Sequence, residues 1–125
     1  AWVSGRHSEA TLLRARELSI PTVIQDSGAR KLPAMEKLLA DKGLGWEDLA
    51  FVGDDLADLP VLRRAGLPIT VANGCPEARA LAAWVTEAEG GQGAVREIVE
   101  GLLRARGDWD QALVRYLRGI GDTAA

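Results

Sequence analysis

The sequence has one cysteine, Cys75, and one histidine, His7, among its 125 residues. A single thiol cannot form an internal disulfide or a multi-thiolate metal site, and this scarcity is typical of a protein of the reducing cytoplasm. Lys and Arg residues number 15 against 18 Asp and Glu, which gives a net charge of −3. This acidic balance argues against a nucleic-acid partner or an acidic membrane surface.

Long apolar runs are also missing. No segment approaches the roughly 20 residues that span a bilayer, and no charged-then-apolar targeting segment opens the chain. The sequence begins Ala-Trp-Val-Ser without an initiator methionine, and a strand is predicted from the first residue, so we expect a fragment of a longer protein. The 47% apolar and 26% charged residues that are present indicate a globular domain with one core.

Short apolar runs alternate with helical patterns along the first two-thirds of the chain. Each run has three or four nearly continuous apolar residues, which is typical of strands covered on both faces. Strand–helix–strand units of this size predict an α/β fold: a Rossmann-like parallel sheet with helices on both faces and right-handed crossovers. The predicted strands are Ala1–Val3, Thr22–Ile24, Leu49–Val52, Ile69–Ala72 and Trp84–Thr86, and the predicted helices are Ser8–Leu18, Lys31–Lys42, Leu56–Ala65 and Pro76–Ala83.

The last third of the chain changes character. Residues 94–120 predict two amphipathic C-terminal helices, and Asp108 followed by Gln111 resembles a capping box for the second. The linker 87–93 contains three glycines, and we expect it to be the most flexible stretch. Residues 1–125 are predicted to form a single domain.

Two polar features follow the first two predicted strands, at the sheet edge where ligand sites of parallel sheets gather. In Ser4-Gly5-Arg6 a hydroxyl and a free backbone N–H could cradle an anion, although a plain turn capped by Ser8 explains the same residues. Lys31 opens a predicted helix, where the macrodipole disfavours a cation. A bound phosphate would explain this lysine, and so would a solvated surface position.

A third polar feature is acidic. Asp54, Asp55 and Asp58 crowd the turn after the strand that ends at Val52. Carboxylates this close repel one another, and a cation would relieve the repulsion. Magnesium suits such a turn because it takes one or two carboxylates together with water and substrate phosphate. The alternative is an acidic turn in which Asp55 or Asp58 caps the following helix.

In this order the three features resemble the second, third and fourth motifs of phosphatases of the haloacid dehalogenase superfamily. Segments 52–62, 66–73 and 90–97 are similar to one family within it, the 3-deoxy-D-manno-octulosonate (KDO) 8-phosphate phosphatases, and the resemblance extends from residue 1 to about residue 118. It implies a fold without a cap domain, a Mg²⁺ cofactor, a cytoplasmic homotetramer, and hydrolysis of KDO 8-phosphate to KDO and inorganic phosphate in lipopolysaccharide precursor synthesis.

The resemblance also implies a role for each matching residue. Asp54 would bind the metal, Asp55 would support the metal and its waters during catalysis, and Asp58 would support both from further out. Lys31 would neutralise the phosphate and the attacking aspartate. The residues that would bind phosphate and substrate are Ser4, Gly5, Arg6, Arg14 and Lys31.

The sequence departs from the family pattern in its catalytic aspartates. The first motif, an Asp-x-Asp-Gly that supplies the nucleophile and the general acid, is absent. The segment Asp108–Asp110 opens a predicted helix, and we interpret it as a cap. The implied reaction, phosphoryl transfer to an aspartate followed by hydrolysis, therefore needs a residue from outside the chain. We expect the chain alone to be inactive.

Two alternative functions remain open. Phosphatases for nine-carbon acylneuraminate-type 9-phosphates share the fold, and they often carry an acidic residue where Arg6 stands. The chain could also be a non-catalytic oligomerisation domain of the same fold, associated with a sugar-nucleotide synthetase. An Asp-x-Asp-Gly motif upstream would favour an enzyme over this structural role.

Overall fold

The computed structural model describes residues 1–26 and 30–124. Strands and helices alternate through the chain, as predicted. The strands are β1 Trp2–Ser4, β2 Val23–Gln25, β3 Ala50–Val52, β4 Leu67–Thr70 and β5 Trp84–Val85, and the helices are α1 Glu9–Glu17, α2 Lys31–Asp41, α3 Leu59–Leu62, α4 Pro76–Leu81, α5 Ala94–Arg106 and α6 Trp109–Gly119, with 3-10 turns at Trp46–Asp48 and Leu56–Asp58.

Every strand pairing between described residues is parallel, which confirms the predicted α/β class. The described strands form a two-stranded sheet, β1–β2, and a three-stranded sheet in the order β3–β4–β5, where one sheet was expected. In the three-stranded sheet the carboxyl ends lie at one edge, so the loops after β3, β4 and β5 are neighbours.

Strand β4 begins at Leu67, two residues earlier than predicted, and includes Pro68. Proline lacks the N–H that a strand interior normally donates. The Pro68 carbonyl accepts the N–H of Ala83, so the missing N–H would point toward the β5 side. Pairing with β5 starts only at Ile69, opposite Trp84, so the sheet loses no bond.

The single helix predicted for 56–65 is instead a 3-10 turn followed by the short helix α3. In an α-helix, residue 60 would donate its N–H to the carbonyl of Leu56, and Pro60 has no N–H to give. The N–H of Leu59 bonds the Leu56 carbonyl in 3-10 fashion instead. The α-helical turn therefore starts at Leu59.

The core lies where α3 packs against the three-stranded sheet. Val61, Leu62 and Ile69 are at most 1% exposed. Burial of an aliphatic side chain of this size contributes roughly 1.5–3 kcal/mol. Helix α3 also contacts α2 and α4, and this packing holds the loop after β3 in place.

The C-terminal helices form a hairpin on the β5 side. Helix α5 approaches β5 closely at Gly101, where a Cβ atom would lie 2.5 Å from the Trp84 ring. Helix α6 contains no buried residue. The predicted capping box is wrong, because the Asp108 carboxylate pairs with Arg106 at 3.1 Å and makes no cap bond. Within the two described segments, no helix has the length and apolar character needed to cross a bilayer.

Candidate active site

A buried ion pair joins the loop after β3 to the start of α2. The Nζ atom of Lys31, the first residue of α2, lies 2.6 Å from Oδ1 of Asp58. Asp58 is 3% exposed, and the Lys31 side chain is 17% exposed. Lys31 is therefore not a solvated surface lysine, and the acidic turn receives its counter-charge from within the chain.

The second oxygen of Asp58 shapes the turn after β3. Its Oδ2 accepts the backbone N–H groups of Asp54, at 2.9 Å, and Asp55, at 3.1 Å. This arrangement requires glycine at position 53, because a Cβ atom there would lie 2.5 Å from the Cβ of Asp58. Asp58 was expected to support the metal site without binding the metal, and this role remains a prediction. The structure shows that Asp58 holds the backbone of Asp54 and Asp55.

Asp55 acts as a cap. Its Oδ1 accepts the N–H of Leu56 at 2.7 Å, at the start of the 3-10 turn. An N-cap carboxylate satisfies one of the donors that a helix start leaves unpaired. The cap interpretation thus holds for Asp55, whose side chain and that of Asp58 form a capping box at the start of the 3-10 turn.

Asp54 is the carboxylate of the cluster that is available to a ligand. It is exposed and makes no side-chain hydrogen bond or ion pair with the described residues. Its carbonyl accepts the N–H of Cys75 at 2.9 Å, which ties this loop to the loop after β4. No group of three or more His, Cys, Asp and Glu side chains in 1–26 and 30–124 is placed to hold a metal. The Asp54 carboxylate is a hard oxygen donor of the kind that magnesium prefers. It could supply one ligand of a magnesium site, and other groups would have to supply the rest.

Ser4 is the last residue of β1, one residue beyond the predicted strand end, and Gly5 and Arg6 follow it in a bend. The Ser4 Oγ accepts the N–H of Arg6 at 3.2 Å, and its hydroxyl hydrogen remains able to donate. Ser8 caps α1 through the N–H of Thr11 at 3.3 Å, as the plain-turn alternative predicted. Both this cap and a phosphate contact at Ser4 are compatible with the geometry.

The structure brings some of the predicted residues together and leaves others apart. Lys31 and the three aspartates share one hydrogen-bonded cluster. Arg14 lies on α1 in an exposed ion pair with Glu17 at 2.9 Å. Residues 27–29, which precede Lys31 in the sequence, lie outside the described residues.

The glycine-rich linker is more ordered by hydrogen bonds than its composition suggested. Glu97 accepts the N–H groups of Glu87, at 2.9 Å, and Ala88, at 3.0 Å. The Asn73 side chain accepts the N–H of Gly90 at 2.8 Å. The sequence predicted neither anchor. The acidic Glu97 in the first turn of α5 was the one available signal, and it concerns only the bonds to Glu87 and Ala88.

Two comparisons place the chain among known proteins. A profile of haloacid dehalogenase-like hydrolases matches residues 11–98. The 3-deoxy-D-manno-octulosonate 8-phosphate phosphatase of Escherichia coli strain K12 is 38% identical over 112 residues, which are 90% of this chain and 59% of the relative. The chain therefore spans about three-fifths of the length of the curated relatives it matches.

Solved structures agree with this placement. The KDO 8-phosphate phosphatase of Moraxella catarrhalis, determined with magnesium, phosphate and KDO, is 39% identical with a TM-score of 0.85, covering 91% of this chain and 65% of that one. The Yersinia pestis phosphatase is 37% identical with a TM-score of 0.82, covering 86% and 58%. The chain belongs to the haloacid dehalogenase-like hydrolase family.

Proposed function

We propose that this chain is part of a magnesium-dependent phosphatase that hydrolyses a sugar-acid phosphate, KDO 8-phosphate in the first place. The observation that carries the proposal is the cluster of Lys31, Asp54 and Asp58 at the carboxyl end of β3, in a chain whose relatives include KDO 8-phosphate phosphatases. Residues 1–125 belong to one domain in this proposal.

Lys31 and Asp54 have complementary tasks. One Nζ hydrogen of Lys31 goes to Asp58, which leaves two donors for a phosphate oxygen. When bound, Mg²⁺ would be held by Asp54 and would neutralise charge on the transferring phosphoryl group. Asp55 would orient a water molecule beside the metal. Asp58 holds the backbone N–H groups of Asp54 and Asp55. Preorganised charge of this kind needs little rearrangement during the reaction.

The remaining catalytic parts come from outside the 125 residues. Strand β1, which ends in Ser4, lies at an edge of the two-stranded sheet, and β3, which is followed by Asp54, lies at an edge of the three-stranded sheet. We place a further parallel strand between these two edges, with an Asp-x-Asp-Gly motif at its carboxyl end. Such a strand would bring the nucleophile beside Ser4 and Gly5 on one side and Asp54 on the other.

Substrate recognition is assigned to the basic side chains near β1. Arg6 is exposed directly after the Ser4 turn and is suited to the carboxylate of a sugar acid. Arg14 lies eight positions further, on α1, and would assist. Arg6 also favours KDO 8-phosphate over nine-carbon acylneuraminate 9-phosphates as the substrate, because phosphatases for the latter often carry an acidic residue at this position.

Assembly and location complete the proposal. Large apolar side chains are exposed on α5 and α6, and an apolar surface of several hundred Å² normally associates. We propose a homo-oligomer, a tetramer as the family resemblance implies, in the cytoplasm, where a single free thiol stays reduced. The exposed residues of this surface are Val95, Val99, Leu113, Tyr116 and Ile120.

The test is a substrate comparison with the complete protein and Mg²⁺. We expect KDO 8-phosphate to have a higher kcat/KM than an acylneuraminate 9-phosphate. Arg6→Ala should lower kcat/KM for KDO 8-phosphate about tenfold or more, as expected for a lost charged hydrogen bond. The control Arg16→Ala, an exposed arginine of α1, should change it little. A preference for the nine-carbon substrate would favour the alternative phosphatase, and no phosphate release from either would favour the non-catalytic domain.

A further inference from the structure

Three neighbouring loops at the carboxyl edge of the β3–β4–β5 sheet are joined by hydrogen bonds. The loop after β4 donates the Cys75 N–H to the Asp54 carbonyl at 2.9 Å. The loop after β5 donates the Gly90 N–H to the Asn73 side chain at 2.8 Å. Asn73 therefore stands between the turn that carries Asp54 and the glycine-rich segment 90–93.

Among the described residues, the bond from Gly90 to Asn73 is the side-chain hydrogen bond that reaches this segment. Glu97 holds the base of the loop through Glu87 and Ala88, but neither bond reaches the glycines. Gly91 and Gly93 have φ values of 78° and 90°, and a Cβ atom on either would meet nothing within 4 Å. The other bonds of the segment are backbone bonds, from the Gln92 N–H to the Glu89 carbonyl at 3.0 Å and from the Glu97 N–H to the Gly93 carbonyl at 3.1 Å. In the part of the chain that the structure describes, Asn73 is therefore the side chain that ties the segment to the loop after β4.

We propose that Asn73 is a positioning residue, which fixes segment 90–93 relative to Asp54 and thereby shapes the wall of the site that meets the organic part of the substrate. The proposal rests on the proposed phosphatase function. The cluster of Lys31, Asp54 and Asp58 is hydrogen-bonded without Asn73, so its geometry does not depend on this side chain. Asn73 acts on substrate binding, through Gly90, and leaves the chemical step alone.

Amide hydrogen exchange of the complete protein, without substrate, tests the positioning directly. In Asn73→Ala the Gly90 amide should exchange about five- to tenfold faster, as expected for the loss of one neutral hydrogen bond. Asn73→Asp keeps an oxygen acceptor and should restore slow exchange. The amides of Glu87 and Ala88, which Glu97 holds, serve as internal controls and should change little.

Kinetics test the consequence. In Asn73→Ala the KM for KDO 8-phosphate should rise several-fold with kcat nearly unchanged, while the KM for a small aryl phosphate should stay the same. Unchanged Gly90 exchange in Asn73→Ala, or a kcat that falls equally for both substrates, would overturn the proposal. If the unsubstituted protein releases no phosphate, the proposed function fails, and the exchange of Gly90 still decides whether Asn73 positions the loop.

Discussion

Lys31 and Asp58 are 27 positions apart in the sequence, and their charged atoms lie 2.6 Å apart in a largely buried ion pair. The pair connects the start of α2 to the loop after β3. It therefore orders the same turn that presents Asp54, so a change at Asp58 affects both stability and the site.

Removal of Asp58 tests this connection. Asp58→Ala leaves a largely buried lysine unpaired and two backbone N–H groups without their acceptor, so we expect a loss of about 3–5 kcal/mol in the free energy of unfolding. Glu36→Ala breaks the exposed Arg64–Glu36 pair, whose side chains are each 51% exposed, and should cost less than about 1 kcal/mol. Urea denaturation of the complete protein measures both. Equal losses would contradict the structural role of the Lys31–Asp58 pair.

Asp54 should matter for magnesium and not for folding. Its carboxylate is exposed and makes no bond with the described residues, so Asp54→Asn should leave the urea midpoint unchanged. Magnesium affinity, measured by titration calorimetry of the complete protein, should fall at least about tenfold, which is 1.4 kcal/mol. Asp41→Asn, at the exposed end of α2, is the matched control. An unaltered magnesium affinity in Asp54→Asn would show that the metal ligand lies elsewhere.

Two buried threonines should respond oppositely to the same substitution. The Thr70 hydroxyl is fully buried and has no hydrogen-bond partner among the described residues, whereas the Thr86 hydroxyl donates to the Ala88 carbonyl at 2.6 Å. Thr70→Val should leave stability unchanged or raise it by about 1 kcal/mol, and Thr86→Val should lower it by about 1–3 kcal/mol. Chemical denaturation of both variants provides the comparison. A loss at Thr70 equal to that at Thr86 would mean that the Thr70 hydroxyl is bonded.

The exposed apolar surface of α5 and α6 should mediate self-association. Tyr116 of α6 is 63% exposed, and Ile120, which follows the last residue of α6, is 65% exposed. A charge placed there must be desolvated in an interface, so Ile120→Glu should shift the complete protein toward smaller species in sedimentation velocity. Leu44→Glu, at a residue 46% exposed in the loop after α2, should have no such effect. A complete protein that is monomeric before any substitution would remove this part of the account.

The sequence predicted the element order well because short apolar runs and helical periodicity are local signals. Its errors also have local causes: Pro68 sits in a strand where its missing N–H is not needed, and Pro60 delays the start of α3. The Asp108 cap failed because Arg106 competes for the same carboxylate.

The sequence indicated which residues to consider for the candidate site, but it did not predict the hydrogen bonds between them. Motif order identified Lys31 and the three aspartates, since each follows a strand. The pairing of Lys31 with Asp58, and the anchoring of Gly90 by Asn73, depend on contacts between distant segments. Spacing along one chain carries no information about such contacts.

The central claim, a magnesium-dependent phosphatase that needs a nucleophile from outside these 125 residues, is tested most directly by phosphate release from KDO 8-phosphate. The complete protein and the 125-residue chain are assayed side by side, each with Mg²⁺ and with a chelator. We predict release by the complete protein with Mg²⁺ only, and none by the chain under either condition. Turnover by the purified chain, or release by the complete protein that persists in chelator, would contradict the account.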